Sequence, residues 1–368
     1  DHIHSLPYII EAIGNPPIYT AAFTKALVEK RFQEFTNLPK LKFVLVNPGD
    51  KVQISEHFHA EFFSVGHTIP DAMGVILDTP AGKMVHFGDF RLETDKDGKP
   101  EHLEVFEQLG TMGIHSIFLD STNAPEEGHA MSERIVEKNL EDLFKKARGR
   151  IVVATFGSLI TRLAEIIKIA ERLGRKVALN GRTMKDNVQI AINLGFIKTK
   201  KDAIIPIEEI HKYRDDKILI LTTGAQGEAT AGLMRIVNGE HRHVTLKRSD
   251  MVIFSSSVVP GNERSVQMIQ DNIARQVDEV YNSRLLDIHS SGHGPREDLK
   301  LVIKLTKPKF VVPVHAYYFM RSIAAKIAHE AGIPKDNAVL VDNGQICEIT
   351  KDSFKVSGQQ IDTSYVMV

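Results

Sequence analysis

The sequence has 368 residues, of which 42% are hydrophobic and 25% charged, and its 46 Lys and Arg nearly balance its 47 Asp and Glu. These values predict a globular protein of two domains, and they exclude a disordered chain and binding of a polyanion through bulk positive charge. The single cysteine, Cys347, excludes an internal disulfide and any cysteine-rich zinc site, as is typical of proteins from a reducing cytoplasm. No apolar run approaches the roughly 18 residues of a membrane span, so we expect no membrane partner and no signal peptide.

The first third of the chain predicts short helices followed by a β meander. Apolar residues at helical spacing predict helices over residues 3–13 and 23–35. Short apolar runs between Gly and Pro turns predict strands over residues 17–20, 43–46, 61–65, 73–78 and 83–87.

After about residue 123 the chain repeats a strand followed by a helix. The predicted strands cover residues 151–155, 176–179, 218–222 and 250–254, and the helices cover 158–173, 185–194, 229–237 and 262–275. This alternation predicts a parallel sheet with crossover helices. Beyond residue 285 the pattern changes to a helix at 295–306, a buried strand at 310–314, a helix at 317–331 and two late strands. We therefore predict one domain interrupted by an inserted α/β domain.

Acidic and histidine residues occur at the ends of several predicted strands. His67 follows Gly66, Asp89 follows Gly88, and His315 ends a buried strand, while Asp1-His2 precedes a predicted helix. Each residue alone has an ordinary explanation as a turn, a cap or a surface histidine. Together, neutral imidazoles and carboxylates suit two divalent cations, one carboxylate bridging the pair. Such a site would activate a water molecule for hydrolysis.

The order of these motifs resembles the metallo-β-lactamase superfamily: Asp-His, Gly-His-Thr, Gly-Asp-Phe and Pro-Val-His. Asp-Ser-Thr-Asn-Ala, which begins at Asp120, and Ser-Gly-His, which ends at His293, resemble the β-CASP branch and within it the ribonuclease J family. Thr155 to Ser158, before a helix with Arg162, is also similar. The resemblance covers nearly the whole chain. It implies a metallo-β-lactamase αββα sandwich at residues 1–125 and 286–368, interrupted at 126–285 by a β-CASP α/β domain with a parallel sheet.

The resemblance also implies a ligand set for two metal ions. Asp1, His2, Asp89 and His315 would surround one ion, and His67 and Asp89 would bind the other, with Asp89 as the bridge. The ions would be zinc, with manganese or magnesium as alternatives. Two further histidines of the family's first motif are expected upstream of residue 1. Where the family usually continues Gly-Glu after the last histidine, this chain has Ala316-Tyr317.

Two segments are candidates for binding RNA. Hydroxyl and backbone N–H groups before a helix favour a phosphate at His289, Ser290, Ser291, Gly292 and His293, with a plain turn and helix cap as the alternative. In the second segment Phe156 could stack a base while Gly157 and Ser158 hold a terminal phosphate, with a capping serine as the alternative. His293 would act on the leaving oxygen in a catalytic set with Asp89 and Asp120, where Asp120 orients His293 or His315.

By resemblance, the reaction would be hydrolysis of phosphodiester bonds in single-stranded RNA. The expected enzyme is a cytoplasmic 5′-to-3′ exonuclease with endonuclease activity that prefers a 5′-monophosphate and acts in RNA decay and processing, including that of ribosomal RNA. A homodimer or homotetramer is expected. A non-catalytic β-CASP RNA-binding scaffold, a β-CASP nuclease of the cleavage-factor or DNA-repair type and, less favoured, a small-molecule hydrolase remain as alternatives. His57 and His59 share a strand face but are interpreted as structural or surface residues.

Overall fold

A computed structural model describes residues 2–228 and 230–363. They form two compact units, the first from residues up to 67, 71–130 and those from 292, and the second from 68–70 and 131–291. The sequence placed these divisions at 125/126 and 285/286, whereas the units divide at 130/131 and 291/292. The segment before residue 291 stays with the second unit because Ile288 O accepts hydrogen bonds from the buried Arg162 and Ser255 side chains.

The secondary structure alternates between the two units along the chain. The helices are α1 (Leu6–Ile9), α2 (Ala22–Phe32), α3 (Glu104–Gly110), α4 (Glu133–Lys146), α5 (Ile160–Arg172), α6 (Arg182–Asn193), α7 (Gly232–Val237), α8 (Glu263–Ala274), α9 (Arg296–Thr306) and α10 (Tyr318–Glu330). Short 3-10 helices cover Ile207–Lys212, Asp215–Lys217 and Lys335–Asn337. The strands are β1 (Ile18–Thr20), β2 (Phe43–Leu45), β3 (Lys51–Gln53), β4 (His59–Ser64), β5 (Met73–Thr79), β6 (Gly82–His86), β7 (Ile114–Asp120), β8 (Ile151–Ala154), β9 (Lys176–Asn180), β10 (Ile204–Ile205), β11 (Ile218–Thr222), β12 (Met251–Phe254), β13 (Glu279–Tyr281), β14 (Phe310–Val314), β15 (Gln345–Ile349) and β16 (Phe354–Gln360).

The first unit contains a six-stranded sheet in the order β14-β7-β6-β5-β4-β3. Strands β14, β7 and β6 are parallel, and β6 to β3 form an antiparallel meander. The predicted meander is therefore confirmed for β4, β5 and β6, with β3 as an additional strand, but it is wrong for β2, which pairs in parallel with β1 in a separate sheet. Strands β4, β6, β7 and β14 run in one direction, so their carboxyl ends lie at one edge.

Apolar residues hold this sheet between two layers. One face packs against α3, α9 and α10 through buried side chains such as Phe87, Phe106 and Leu299. The other face of β14 packs on the β15–β16 hairpin through Phe310 and Phe354. Each such side chain contributes roughly 1.5–3 kcal/mol by leaving water, so these contacts fix the strand ends in place.

The predicted helix over residues 3–13 is wrong in length, because only α1 is helical there. Ile9 and Ile13 are exposed. An isolated short helix is marginal in water, and these exposed side chains provide no tertiary packing to extend it.

The second unit contains a parallel sheet in the order β10-β9-β11-β8-β12-β13. All residues of β8, β11 and β12 are buried, as expected for strands covered by helices on both faces. This confirms the predicted parallel α/β arrangement. In the part of the chain that the structure describes, every helix is too short or too polar to cross a membrane.

Candidate metal centre

The acidic and histidine residues of the first unit converge at the carboxyl edge of its sheet. Asp120 is the last residue of β7 and lies in register with Val314, the residue before His315. His86 ends β6 in register with Phe118, and the following turn leads to Asp89. Parallel neighbouring strands thus deliver carboxylates and an imidazole to one place.

Two glycines allow the turns that carry the candidate ligands. A Cβ at Gly66 would lie 2.8 Å from Arg91 O, so only glycine permits the close approach that precedes His67. Gly88 has φ +66°, which glycine adopts without strain, and the chain turns there toward Asp89. His315 has φ +55°, an uncommon backbone conformation for a residue with a side chain that costs of order 1 kcal/mol and often occurs at functional sites.

Four side chains form the centre of the cluster. One ligand atom from each of Asp89, Asp120, His293 and His315 lies within 4.8 Å of all the others. The rings of His293 and His315 stack with centroids 5.5 Å apart, and His67 meets His293 edge-on at the same distance. His2 stacks on His315 at 4.7 Å.

Asp89 lies where the histidines meet. Its Oδ2 atom is 3.0 Å from His2 Nε2 and 3.9 Å from His67 Nε2, and its Oδ1 atom is 3.4 Å from His315 Nδ1. Oδ1 is buried and has no hydrogen-bond partner among the residues that the structure describes. Burying a carboxylate oxygen without a partner is unfavourable, whereas a divalent cation would satisfy it. The donor set therefore fits a metal ion at Asp89.

His67 has the protonation state that a metal ligand requires. Its Nδ1–H donates to Gly292 O at 2.8 Å, which leaves Nε2 as the atom directed to Asp89. Burial lowers the pKa of His67 below its ordinary value, even though Gly292 and Asp89 act in the opposite direction. The ring is therefore neutral at pH 7, with its tautomer set by the backbone.

Asp120 holds two imidazoles at once. Its Oδ2 accepts from His293 Nδ1 at 2.7 Å, and its Oδ1 accepts from the backbone N–H of Thr122 at 3.0 Å and its hydroxyl at 2.7 Å. The Thr122 hydroxyl also lies 3.0 Å from His315 Nδ1. Asp120 is 1% exposed, so it acts through its neighbours.

The electrostatics of the cluster favour cations. Burial alone would raise the pKa of Asp89, but the hydrogen bond and charge of His2 and the charge of His315 lower it below the ordinary range. Burial of Asp120 is likewise outweighed, chiefly by bonds to His293 and His315, so its pKa is also low. The bond to Asp120 raises the pKa of His315 despite burial. Two ionised carboxylates thus create a negative potential at this edge.

The structure brings together His2, His67, Asp89 and His315 of the predicted ligand set, with Asp120 and His293 of the predicted catalytic set beside them. Asp1 lies outside the described residues. Gly292, predicted to bind RNA, has its carbonyl engaged with His67.

The remaining predicted RNA-binding residues lie in the second unit. His289, Ser290 and Ser291 precede the division at 291/292, and Ser290 Oγ donates to Met131 O at 2.7 Å. Phe156, Gly157 and Ser158 follow β8, and only Ser158 of the three is exposed. The alternative of a capping serine is wrong at this position, because α5 begins after Leu159 and has no side-chain cap.

Arg162 joins these two segments inside the second unit. Its guanidinium donates to Glu133 at 2.6 Å, to Ser255 Oγ at 2.9 Å and to Ile288 O at 3.0 Å, and its side chain is 3% exposed. Helix α5, which begins just after Ser158, is thereby bound through Arg162 to Ile288, the residue before His289. One buried cation thus joins the start of α5, next to the first predicted RNA-binding segment, to Ile288, next to the second.

The sequence reading did not identify Thr122 or Asn123 as site residues. Thr122 bonds to Asp120 and His315, and Asn123 Nδ2 donates to His293 O at 3.1 Å. Both belong to the Asp-Ser-Thr-Asn-Ala motif, so their place in that motif could have identified them as site residues. His57 and His59 are both exposed on the β3–β4 hairpin, outside the four-residue cluster.

Comparison with family models matches two segments. Residues 148–273 match the β-CASP domain of ribonuclease J, and residues 282–339 match a Zn-dependent metallo-hydrolase RNA specificity domain. The second match, together with the cluster at Asp89, supports binding of divalent metal ions.

Comparison with whole proteins gives matches over almost the entire chain. Ribonuclease J 1 of Streptococcus pyogenes serotype M3 is 36% identical over 97% of this chain, and ribonuclease J of Thermus thermophilus is 35% identical over 98%. The chain spans 64% of each of these relatives, which is less than two thirds of their length.

Among solved structures, a protein of unknown function from Enterococcus faecalis V583 superposes with a TM-score of 0.62 at 17% identity, covering 93% of this chain and 76% of that one. At this identity the likeness concerns the fold alone. Together with the family models, it confirms the expected metallo-β-lactamase fold with an inserted β-CASP domain.

Proposed function

The chain belongs to the ribonuclease J family of β-CASP proteins, and on this premise we propose that it hydrolyses phosphodiester bonds of single-stranded RNA with divalent metal ions. The observation that carries the proposal is the buried Oδ1 of Asp89, which finds no hydrogen-bond partner in the described part of the chain and lies among imidazoles at the edge of the sheet. A binding scaffold would not need to bury an unsatisfied carboxylate oxygen there.

In this proposal Asp1, His2, His67, Asp89 and His315 hold two ions, zinc or alternatively manganese or magnesium. Bound divalent ions supply charge stabilisation at phosphorus and a hydroxide at neutral pH. The carbonyl of Gly292 accepts the Nδ1–H of His67 and so fixes the orientation of the neutral His67 ring.

Asp120 and His293 would perform the proton transfer. Asp120 holds His293 through Nδ1, so transfer to the leaving 3′ oxygen would use Nε2. Because Asp120 is buried and ionised, it also stabilises His293 when the ring carries a proton.

The finer proposal is a cytoplasmic 5′-to-3′ exonuclease with endonuclease activity that acts in RNA decay and processing as a homodimer or homotetramer. The second unit's segments at Phe156–Ser158 and His289–Ser291 would bind a 5′-monophosphate end. The exposure of Ser158 and the hydrogen bond from Arg162 of the following helix to Ile288 O, next to His289, support this assignment.

The test uses four RNA oligomers of one sequence: 5′-monophosphorylated, 5′-triphosphorylated, circular and duplex, each with Mn²⁺ or Zn²⁺. We expect mononucleotides from the 5′-monophosphorylated strand and fragments from the circle, because only an endonuclease cuts RNA without an end. Asp89→Ala and His293→Ala should each abolish most of the rate, while His59→Ala, an exposed histidine outside the cluster, should not. Binding without cleavage by the unmodified protein would favour the scaffold, and unchanged rates in both site variants would refute the assigned roles.

A further inference from the structure

Three consecutive aromatic residues are exposed just after the metal centre. Tyr317, Tyr318 and Phe319 are 78%, 59% and 67% exposed, among the highest values of any large hydrophobic residue that the structure describes. A contiguous exposed apolar patch on a protein surface usually marks a binding site. These rings therefore require an explanation that the catalytic cluster does not provide.

Their position links them to the cluster. Tyr317 is two residues from His315, and two residues span at most about 7 Å. Tyr317 is the N-cap of α10, and Tyr318 and Phe319 are the first two residues of its first turn.

The backbone that carries these rings is held firmly. Arg321 donates to Ala316 O at 3.1 Å, to Val341 O and to Asp342 Oδ1, and its side chain is 12% exposed. Its guanidinium also lies 5.6 Å from the centroid of the Tyr318 ring. A fixed aromatic surface beside a cation loses little entropy on binding a flat, electron-rich ligand.

We propose that Tyr317, Tyr318 and Phe319 form a stacking surface for unpaired bases of the RNA strand at the metal centre. This inference rests on the proposed function, because an RNA strand must lie at the cluster for its bases to reach the rings. Every base offers a flat face, so the surface binds without regard to sequence. A duplex keeps those faces stacked inside, so the same surface selects single strands.

A tryptophan reporter tests stacking without relying on catalysis. The chain has no tryptophan, so Phe319→Trp introduces one indole at the surface. We expect a hydrolysis-resistant phosphorothioate RNA to quench its fluorescence strongly, and the same oligomer made abasic to quench it weakly. Equal quenching by both would show that the rings contact only the backbone and would overturn the proposal.

Affinity measurements complete the test. Tyr317→Ala and Phe319→Ala should each raise the Kd for single-stranded RNA by about 5- to 150-fold, the range measured for loss of one stacking ring. Tyr317→Phe, which keeps the ring, and Phe58→Ala, an exposed aromatic residue on the β3–β4 hairpin, should leave it within about twofold. If the unmodified protein cleaves RNA but the alanine variants bind normally, only the stacking surface is wrong. If the unmodified protein does not cleave RNA, the proposed function is wrong. The fluorescence quenching of the Phe319→Trp variant then still tests whether these rings stack on RNA bases.

Discussion

Replacing Asp120 by Asn tests whether the buried carboxylate controls the reaction through His293. The substitution keeps the volume of the side chain but removes its charge. The Asn oxygen can still accept the two hydrogen bonds from Thr122, at 3.0 and 2.7 Å. In the unmodified protein the Nδ1–H of His293 donates to Oδ2 of Asp120 at 2.7 Å. The amide nitrogen of Asn would direct its own hydrogens against that Nδ1–H, so this hydrogen bond would be lost.

The size of the effect follows from this single lost interaction. A hydrogen bond to a charged group contributes roughly 1.5–3 kcal/mol. If Asp120 acts on the transition state through His293, kcat should fall by about 10- to 150-fold, because each 1.36 kcal/mol is a factor of ten. KM should change little, since Asp120 is 1% exposed and cannot contact RNA.

Single-turnover hydrolysis of a labelled RNA measures this effect, and the protein provides a matched control. Asp298 is fully buried and accepts from His129 Nδ1 at 2.8 Å, nearly the geometry of Asp120 and His293. Asp298→Asn should therefore alter stability and leave kcat unchanged. A folded Asp120→Asn protein with the parent rate, or an equal loss in both variants, would refute the reasoning.

Three further predictions concern metal binding, buried charge and pH. In calorimetry, Mn²⁺ at about 100 times its Kd should raise the free energy of unfolding of the unmodified protein by about 2.7 kcal/mol. Asp89→Asn should lose most of that increase, and an equal increase in both proteins would contradict the role of Asp89 as a ligand. Arg162→Met should cost about 3–5 kcal/mol in urea denaturation, since Ser255 and Ile288 are fully buried and Glu133 is only partly exposed. Arg172→Met, whose side chain is 44% exposed, should cost less than about 1 kcal/mol, and similar losses in both variants would contradict the role of burial. Burial raises the pKa of Asp298 above 3.8, despite its bond to His129, so the folded protein binds more protons than the unfolded chain. The free energy of unfolding should then fall as pH rises from about 3.8 through the folded-state pKa of Asp298. Asp298→Asn should flatten that part of the plot of unfolding free energy against pH, and an unchanged slope would contradict the raised pKa.

Local patterns predicted the second unit well. Its strands are short apolar runs that alternate with amphipathic helices, and both features can be read within one window of sequence. The first unit was harder because its pairings join distant segments. The partner of β2 is β1, and the buried strand β7 was not recognised because His115 and Ser116 interrupt its apolar run.

The sequence predicted which residues lie at the strand ends of the site, but it did not predict the hydrogen bonds between them. Position in a motif suggested Asp89, Asp120 and His315, and the shared edge of the sheet explains why they meet. The bond from His67 to Gly292 depends on the folded backbone, which no spacing rule reveals. The position of His86 likewise depends on the fold, because it is exposed at the end of β6 with its ring stacked on Phe118.

The pairing of β14 with β7 has a consequence for synthesis of the protein. Val314 aligns with Asp120, so the strand that brings His315 to its place is made long after the strand it joins. A nascent chain still lacking β14 therefore carries Asp89 and Asp120 without their last imidazole. Translation must pass residue 315 before the centre can assemble, so a chain still on the ribosome before that point would lack the complete ligand set.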